Sequence, residues 1–168
     1  MTRKAVWTAA VVLAITSAVF AQKKPDFSGT WTLDRDKSEM PQMGGGGGRP
    51  GGGGQMGDVI VTIKQTADTL TIEQKMGEMG TRTMNYKLDG SESVNPGMRG
   101  GEAKSTTKWD GDKLVTDTTQ TMTGPNGEMT MKSKDVRSLD PDGTMHVEVT
   151  RETPRGTSTS KLVFKKTT

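Results

Sequence analysis

Few side chains in this 168-residue chain are suited to chemistry. There is one histidine, His146, and no cysteine, which removes thiol nucleophiles, thiolate metal sites and disulfides together. His146 sits in Met145-His146-Val147-Glu148, where alternation with apolar positions sends it to the wet face of a strand. No Gly-x-Ser-x-Gly elbow and no metal-spaced histidine pair occurs. No two carboxylates are set apart as an acid–base pair by an apolar setting. The chain therefore reads as a non-enzyme without a cofactor. Methionine supplies the remaining candidate chemistry, with twelve in the chain. Met40 and Met43, Met76 and Met79, and Met129 and Met131 form thioether pairs that suit Cu(I), with His146 as an added nitrogen. The competing role, adaptable filler in a core short of aromatics, is the stronger of the two.

A second cluster is charged. Asp140-Pro141-Asp142-Gly143 suits a type I turn with a glycine bulge, pairing Asp140 with Thr144. That register sets Leu139 opposite Met145, Arg137 opposite Val147, Asp135 opposite Val149 and Ser133 opposite Arg151. Met145, Val147 and Val149 mark the apolar face, so Asp135, Arg137 and Arg151 are expected to point inward with them. A slip of one residue would turn all three outward. Inside, they could form an Asp–Arg pair knitting the core, a site for an anion or polar headgroup, or the wall of a water-filled interior.

The elements that must position these groups are strands. After Asp58, apolar and polar residues alternate at period two, as in Val59, Val61 and Ile63, or Met84, Tyr86 and Leu88. No segment after the first 21 residues keeps a helical apolar period for three turns. Asp89-Gly90, Asp110-Gly111 and Asp142-Gly143 supply tight turns, and Pro125-Asn126-Gly127 and Pro154-Arg155-Gly156 supply two more reversals. The spacing predicts strands at 29–34, 58–66, 69–76, 80–88, 91–94, 103–109, 113–122, 128–139, 144–153 and 157–166. The fold class is all-β: an antiparallel up-and-down barrel of about 8–10 strands, because closure removes exposed edges. Residues 43–57 break the pattern with a glycine-rich tract around Arg49-Pro50. It lacks the Gly-Lys-Ser/Thr ending of a phosphate loop and reads as a flexible loop.

Residues 1–21 have the parts of a secretory signal: Arg3 and Lys4, an apolar run from Ala5 to Phe20, and small residues at Val19 and Ala21. The run is short for a membrane span. Cleavage before Gln22 is expected to leave one domain, 22–168, in the periplasm or outside the cell, with no stable membrane anchor. Removing Arg3 and Lys4 from the 23 basic residues leaves 21 against 20 acidic ones. These are interleaved, and nucleic acid is excluded as a partner because no clustered basic face exists. The sequence does not fix an oligomeric state.

Phe27-Ser28-Gly29-Thr30-Trp31-Thr32-Leu33, with Ser38 beyond it, resembles the first strand of the calycins, the lipocalin and fatty-acid-binding-protein barrels. Lys108-Trp109-Asp110-Gly111-Asp112-Lys113-Leu114 is similar to the Trp-Asp/Asn-Gly hairpin of the fatty-acid-binding branch. The opening strand also looks like that of exported bacterial lipocalin-like proteins. The resemblance implies a barrel whose end is closed by the Trp31 indole and whose interior takes a small molecule. Two departures stand out. The glycine tract occupies the place of the family's two-helix lid. The family's Arg-x-Tyr carboxylate clamp is replaced by Leu162 and Phe164, which cannot hydrogen-bond a carboxylate.

The reading that follows is a non-catalytic, exported, lipocalin-like protein that binds a small hydrophobic or amphipathic ligand inside the barrel. The expected lining is Trp31, Tyr86, Trp109, Met131, Arg137, Val147, Val149, Arg151 and Phe164. The alternative is an envelope structural or interaction module with a side-chain-filled barrel. Polar strands such as Thr116-Asp117-Thr118-Thr119-Gln120-Thr121 and the total of seven aromatics speak for it.

Overall fold

The computed structural model describes residues 24–39, 59–75, 80–97, 100–124, 127–154 and 156–167. The expected signal, the glycine-rich tract and the Met40/Met43 and Met76/Met79 pairs lie outside the described residues.

Ten strands account for most of the described residues: β1 (Gly29–Leu33), β2 (Ile60–Gln65), β3 (Thr69–Lys75), β4 (Thr81–Lys87), β5 (Asp89–Pro96), β6 (Glu102–Asp110), β7 (Lys113–Gly124), β8 (Gly127–Leu139), β9 (Met145–Thr153) and β10 (Gly156–Thr167). Each pairs antiparallel with its chain neighbour, apart from β4 and β5. β1 also pairs with β10, opposite Phe164 at Leu33 and Lys166 at Trp31, which wraps the meander into a nearly closed barrel. The period-two pattern is what drives this. On β6, Ala103, Ser105 and Thr107 are buried while Glu102, Lys104, Thr106 and Lys108 are exposed. On β9, Met145, Val147 and Val149 are the buried set.

Predicted and observed strand ends agree to within two residues; β5 departs at both ends and runs 89–96 rather than 91–94. The alternation there is inverted. Val94 is 55% exposed, whereas Ser93 and Asn95 are buried. Their side chains replace the missing ladder to β4. The Lys87 N–H donates to Ser93 Oγ at 2.9 Å. The Asn95 carboxamide bonds both backbone groups of Asn85. Polar side chains cover a sheet edge that would otherwise bury unmet peptide groups.

The register predicted from Asp140-Pro141-Asp142-Gly143 is the one observed: Leu139 faces Met145, Arg137 faces Val147, Asp135 faces Val149 and Ser133 faces Arg151. The turn closes with Asp140 N–H donating to the Thr144 carbonyl at 2.9 Å and Gly143 N–H to the Asp140 carbonyl at 2.9 Å.

The apolar core gathers towards one end. Phe27 and Trp31 are essentially inaccessible and pack with Leu70, Leu88 and Leu114. The Trp31 indole N–H donates to the Phe27 carbonyl at 2.8 Å, and the Phe27 ring stacks on Trp109 at 6.1 Å between centroids. Gly29 between them has φ of +136°, a backbone conformation that disfavours any side chain. Ser38 pins the segment after β1 to β10: its hydroxyl donates to the Asp34 carbonyl at 2.6 Å and accepts the Val163 N–H at 3.0 Å.

Candidate functional site

Inside the barrel lies a cavity of about 490 Å³. The interior is thus not filled by its own side chains, and the space is of a size that takes a small molecule. A second depression, of about 540 Å³, is lined chiefly by outward positions of β5–β9, where Glu92, Asp117 and Glu152 are matched by Lys104, Lys132 and Lys134. It is a groove on the outer face with balanced charge, and the interior space, with its largely apolar lining, is the better candidate.

The cavity has two unlike walls. Val61 and Ile63 of β2, Ile72 of β3, Met84 of β4, Met145, Val147 and Val149 of β9, and Leu162 and Phe164 of β10 make an apolar one. Beside β9 and across from β2 and β3 are Asn95 of β5, Ser105 of β6, Thr118 and Gln120 of β7, and Ser133, Asp135 and Arg137 of β8. Some of this polar wall satisfies itself. Ser105 and Thr118 share a hydrogen bond of 2.8 Å between hydroxyls, and below them Thr107 and Thr116 share one of 2.9 Å. Asn95 is bonded to Asn85, but other polar groups of the cavity are left unmet. Among the described residues, four buried side-chain atoms have no hydrogen-bond partner within the protein: Arg82 Nε, Gln120 Nε2, Asp135 Oδ1 and Arg137 Nη1. All four residues line this cavity.

Asp135 and Arg137 are two apart on β8 and so share a face; Nη2 and Oδ2 lie 3.7 Å apart, close enough for charge attraction and too long for a hydrogen bond. Burial pushes the Asp135 carboxyl above its ordinary value, against the pull of Arg137 and Arg151. Burial likewise raises the Tyr86 phenol, whose hydroxyl donates to the Met84 sulfur at 3.3 Å. The arrangement suits binding: a desolvated, donor-rich wall opposite hydrocarbon.

Of the nine expected lining residues, Tyr86, Met131, Arg137, Val147, Val149, Arg151 and Phe164 are on the cavity wall. Arg151 is exposed, which places its side chain where the cavity meets solvent. Trp31 and Trp109 pack in the closed end instead. Their rings are held by Phe27, and Trp31 by its own bond to the Phe27 carbonyl, so neither turns to the open space. Sequence reading missed Arg82, Asn95, Ser105, Thr118, Gln120 and Ser133. The signal was there in part. Ser133, Thr118 and Ser105 are consecutive register partners, as are Met131, Gln120, Ala103 and Asn95, so one inward residue fixes its row. Of the methionine pairs, Met131 lines the cavity while Met129 is 40% exposed and pairs across from Met122. His146 is half-buried and bonds Asp140 at 3.0 Å through Nε2, away from the interior.

No protein-family model and no curated protein matches the chain. Solved structures do. The zebrafish ileal bile acid-binding protein complexed with cholic acid superposes with a TM-score of 0.57 at 17% identity, covering 84% of this chain and 98% of that one. The REP1-NXSQ fatty acid transporter gives 0.56 at 20%, covering 84% and 96%. Human cRBP IV gives 0.54 at 21%, covering 85% and 99%. At these identities the likeness establishes the fold, a nearly closed calycin-like barrel, as Phe27-Ser28-Gly29-Thr30-Trp31 implies.

Proposed function

We propose that the protein is a non-catalytic binder of a small, partly apolar ligand held in the barrel interior. The observation that carries this reading is the convergence of all four unpartnered buried polar atoms on one cavity whose other wall is hydrocarbon. A buried donor without an acceptor costs about 1–3 kcal/mol, and a ligand that supplies the acceptor recovers part of that cost. Two barrels of the same fold are described by what they carry, a bile acid and a fatty acid, which supports binding over catalysis. Export with loss of residues 1–21 belongs to the same proposal and would place the binder in the periplasm or outside the cell.

Titration with the fluorophore 8-anilinonaphthalene-1-sulfonate (ANS) tests the reading. One ANS per chain is expected, and Val149→Trp, which puts an indole into the cavity, is expected to abolish binding while the far-ultraviolet circular dichroism stays β-like. Undiminished binding by a folded Val149→Trp would place the fluorophore elsewhere and overturn the proposal. Native mass spectrometry of the purified protein then asks whether a small molecule co-purifies.

A further inference from the structure

We infer that the ligand carries its polar groups along one face, not at one end, and that these groups are mainly hydrogen-bond acceptors. The inference rests on the reading of the interior as a binding site. A head-to-tail amphiphile needs polar groups collected at one end of a cavity, with hydrocarbon around the rest. Here polarity is divided by wall. The polar residues run along β7 and β8 through several levels of the barrel; the apolar ones line β1–β3 and β10, and β9 beside β8, where Val149 and Val147 are the register partners of Asp135 and Arg137.

The register measures how far the unmet groups extend. Gln120 lies level with Met131, and Arg137 lies six residues further along β8. At about 3.3 Å per residue, six residues put about 20 Å of strand between their backbone positions, so the two side chains enter the cavity at different levels. A ligand that meets both Arg137 and Gln120 therefore carries polar groups at more than one level. Both are almost fully buried, with 8% and 7% exposure, so bulk solvent does not serve them freely. Arg82, on β4 at the far side of the β4–β5 junction, extends the same polar band.

The chemistry of the unmet atoms sets the sign. Three are donors, on Arg82, Gln120 and Arg137, and one is an acceptor, on Asp135. Burial raises the Asp135 carboxyl, which weakens its compensation of the guanidinium charge. The matching ligand is a rigid, facially amphipathic molecule with several hydroxyl or carboxylate oxygens on one side and hydrocarbon on the other. Gln74 on β3 and Arg151 on β9 interrupt the apolar wall, both short of full burial.

Three probes separate the possibilities by displacement of bound ANS below their micellar concentrations. Cholate carries ring hydroxyls on one face, 5β-cholanate has the same rings and carboxylate without them, and dodecanoate is linear. Cholate is expected to bind at least about tenfold tighter than either, against the order that hydrophobicity alone would give. Gln120→Leu is expected to erase most of that preference, and Gln120→Met serves if the leucine variant fails to fold. Equal or tighter binding of cholanate or dodecanoate overturns the facial arrangement and leaves the interior site standing. Failure of ANS and all three probes to bind overturns the interior site itself, and this inference with it.

Discussion

Asn95 grips Asn85 as a neighbouring strand would: its Oδ1 accepts the Asn85 N–H at 2.7 Å and its Nδ2 donates to the Asn85 carbonyl at 2.9 Å. A carboxamide has the donor and acceptor geometry of a peptide group, so one side chain stands in for one rung of the absent β4–β5 ladder. Ser93 supplies the next contact at Lys87. The barrel is closed along this line by side chains where other junctions use backbone.

That junction should be sensitive to single substitutions. Asn95→Ala leaves the Asn85 N–H and carbonyl unmet and is expected to cost about 1–3 kcal/mol in urea denaturation. Amide exchange at Asn85 and Lys87 should accelerate more than that of the β7–β8 ladder, whose amides follow the change in global stability. Unchanged exchange at both amides would show that the contact does not hold the junction.

Arg137 separates a structural pair from a binding group. If its 3.7 Å approach to Asp135 knits the core, Arg137→Met leaves a buried carboxylate and costs about 3–5 kcal/mol. The geometry favours the other outcome. Each partner keeps an unmet polar atom, and burial already pushes the Asp135 carboxyl towards its neutral form. Arg137→Met should therefore lose less than about 1 kcal/mol in denaturation while weakening cholate binding at least about tenfold.

The raised Asp135 carboxyl also fixes a sign for pH dependence. A carboxyl raised in the folded state holds its proton more tightly there than in the unfolded chain. Its contribution to stability is fully present below the unfolded value of about 3.8 and is lost as pH rises through the raised folded value. Asp34 runs the other way. Lys165, 2.7 Å from it, holds its carboxyl low, so its contribution is lost as pH falls. The Asp135 part is isolated by comparison with Asp135→Asn. The stability of the parent relative to that variant should decline from pH 4 upward, and a difference that is flat or rises with pH would contradict the assignment.

Trp31 tests the closed end. Trp31→Phe removes the indole N–H from the buried Phe27 carbonyl and is expected to cost about 1–3 kcal/mol. Since the indole lies off the cavity wall, ANS affinity should change less than about threefold; loss of binding in a folded variant would make the ring part of the site.

What the sequence disclosed depended on how local the cause was. Asp140-Pro141-Asp142-Gly143 sets the β8–β9 register through a four-residue turn, and that register alone brings Asp135 and Arg137 indoors. The Phe27–Trp31 opening is local too, and it implied the barrel. β5 was harder to see because its inward residues are Ser93 and Asn95, which look like loop residues until their partners on β4 are known. Gln120 failed for the same reason. Its strand reads as uniformly polar, and only pairing with Met131 and Ala103 shows which of its polar residues are inside. The aromatics erred in the opposite direction, since Trp31 and Trp109 are spent on one another's neighbourhood through Phe27 and leave the cavity to smaller side chains.

Methyl-resolved nuclear magnetic resonance during an ANS titration tests the interior site most directly. The account predicts saturable shifts at the methyls of Val147, Val149 and Met145 on the cavity wall, with Val94 on the outer surface unmoved. Shifts confined to Val94 and the outer face, with Val147, Val149 and Met145 silent, would contradict it.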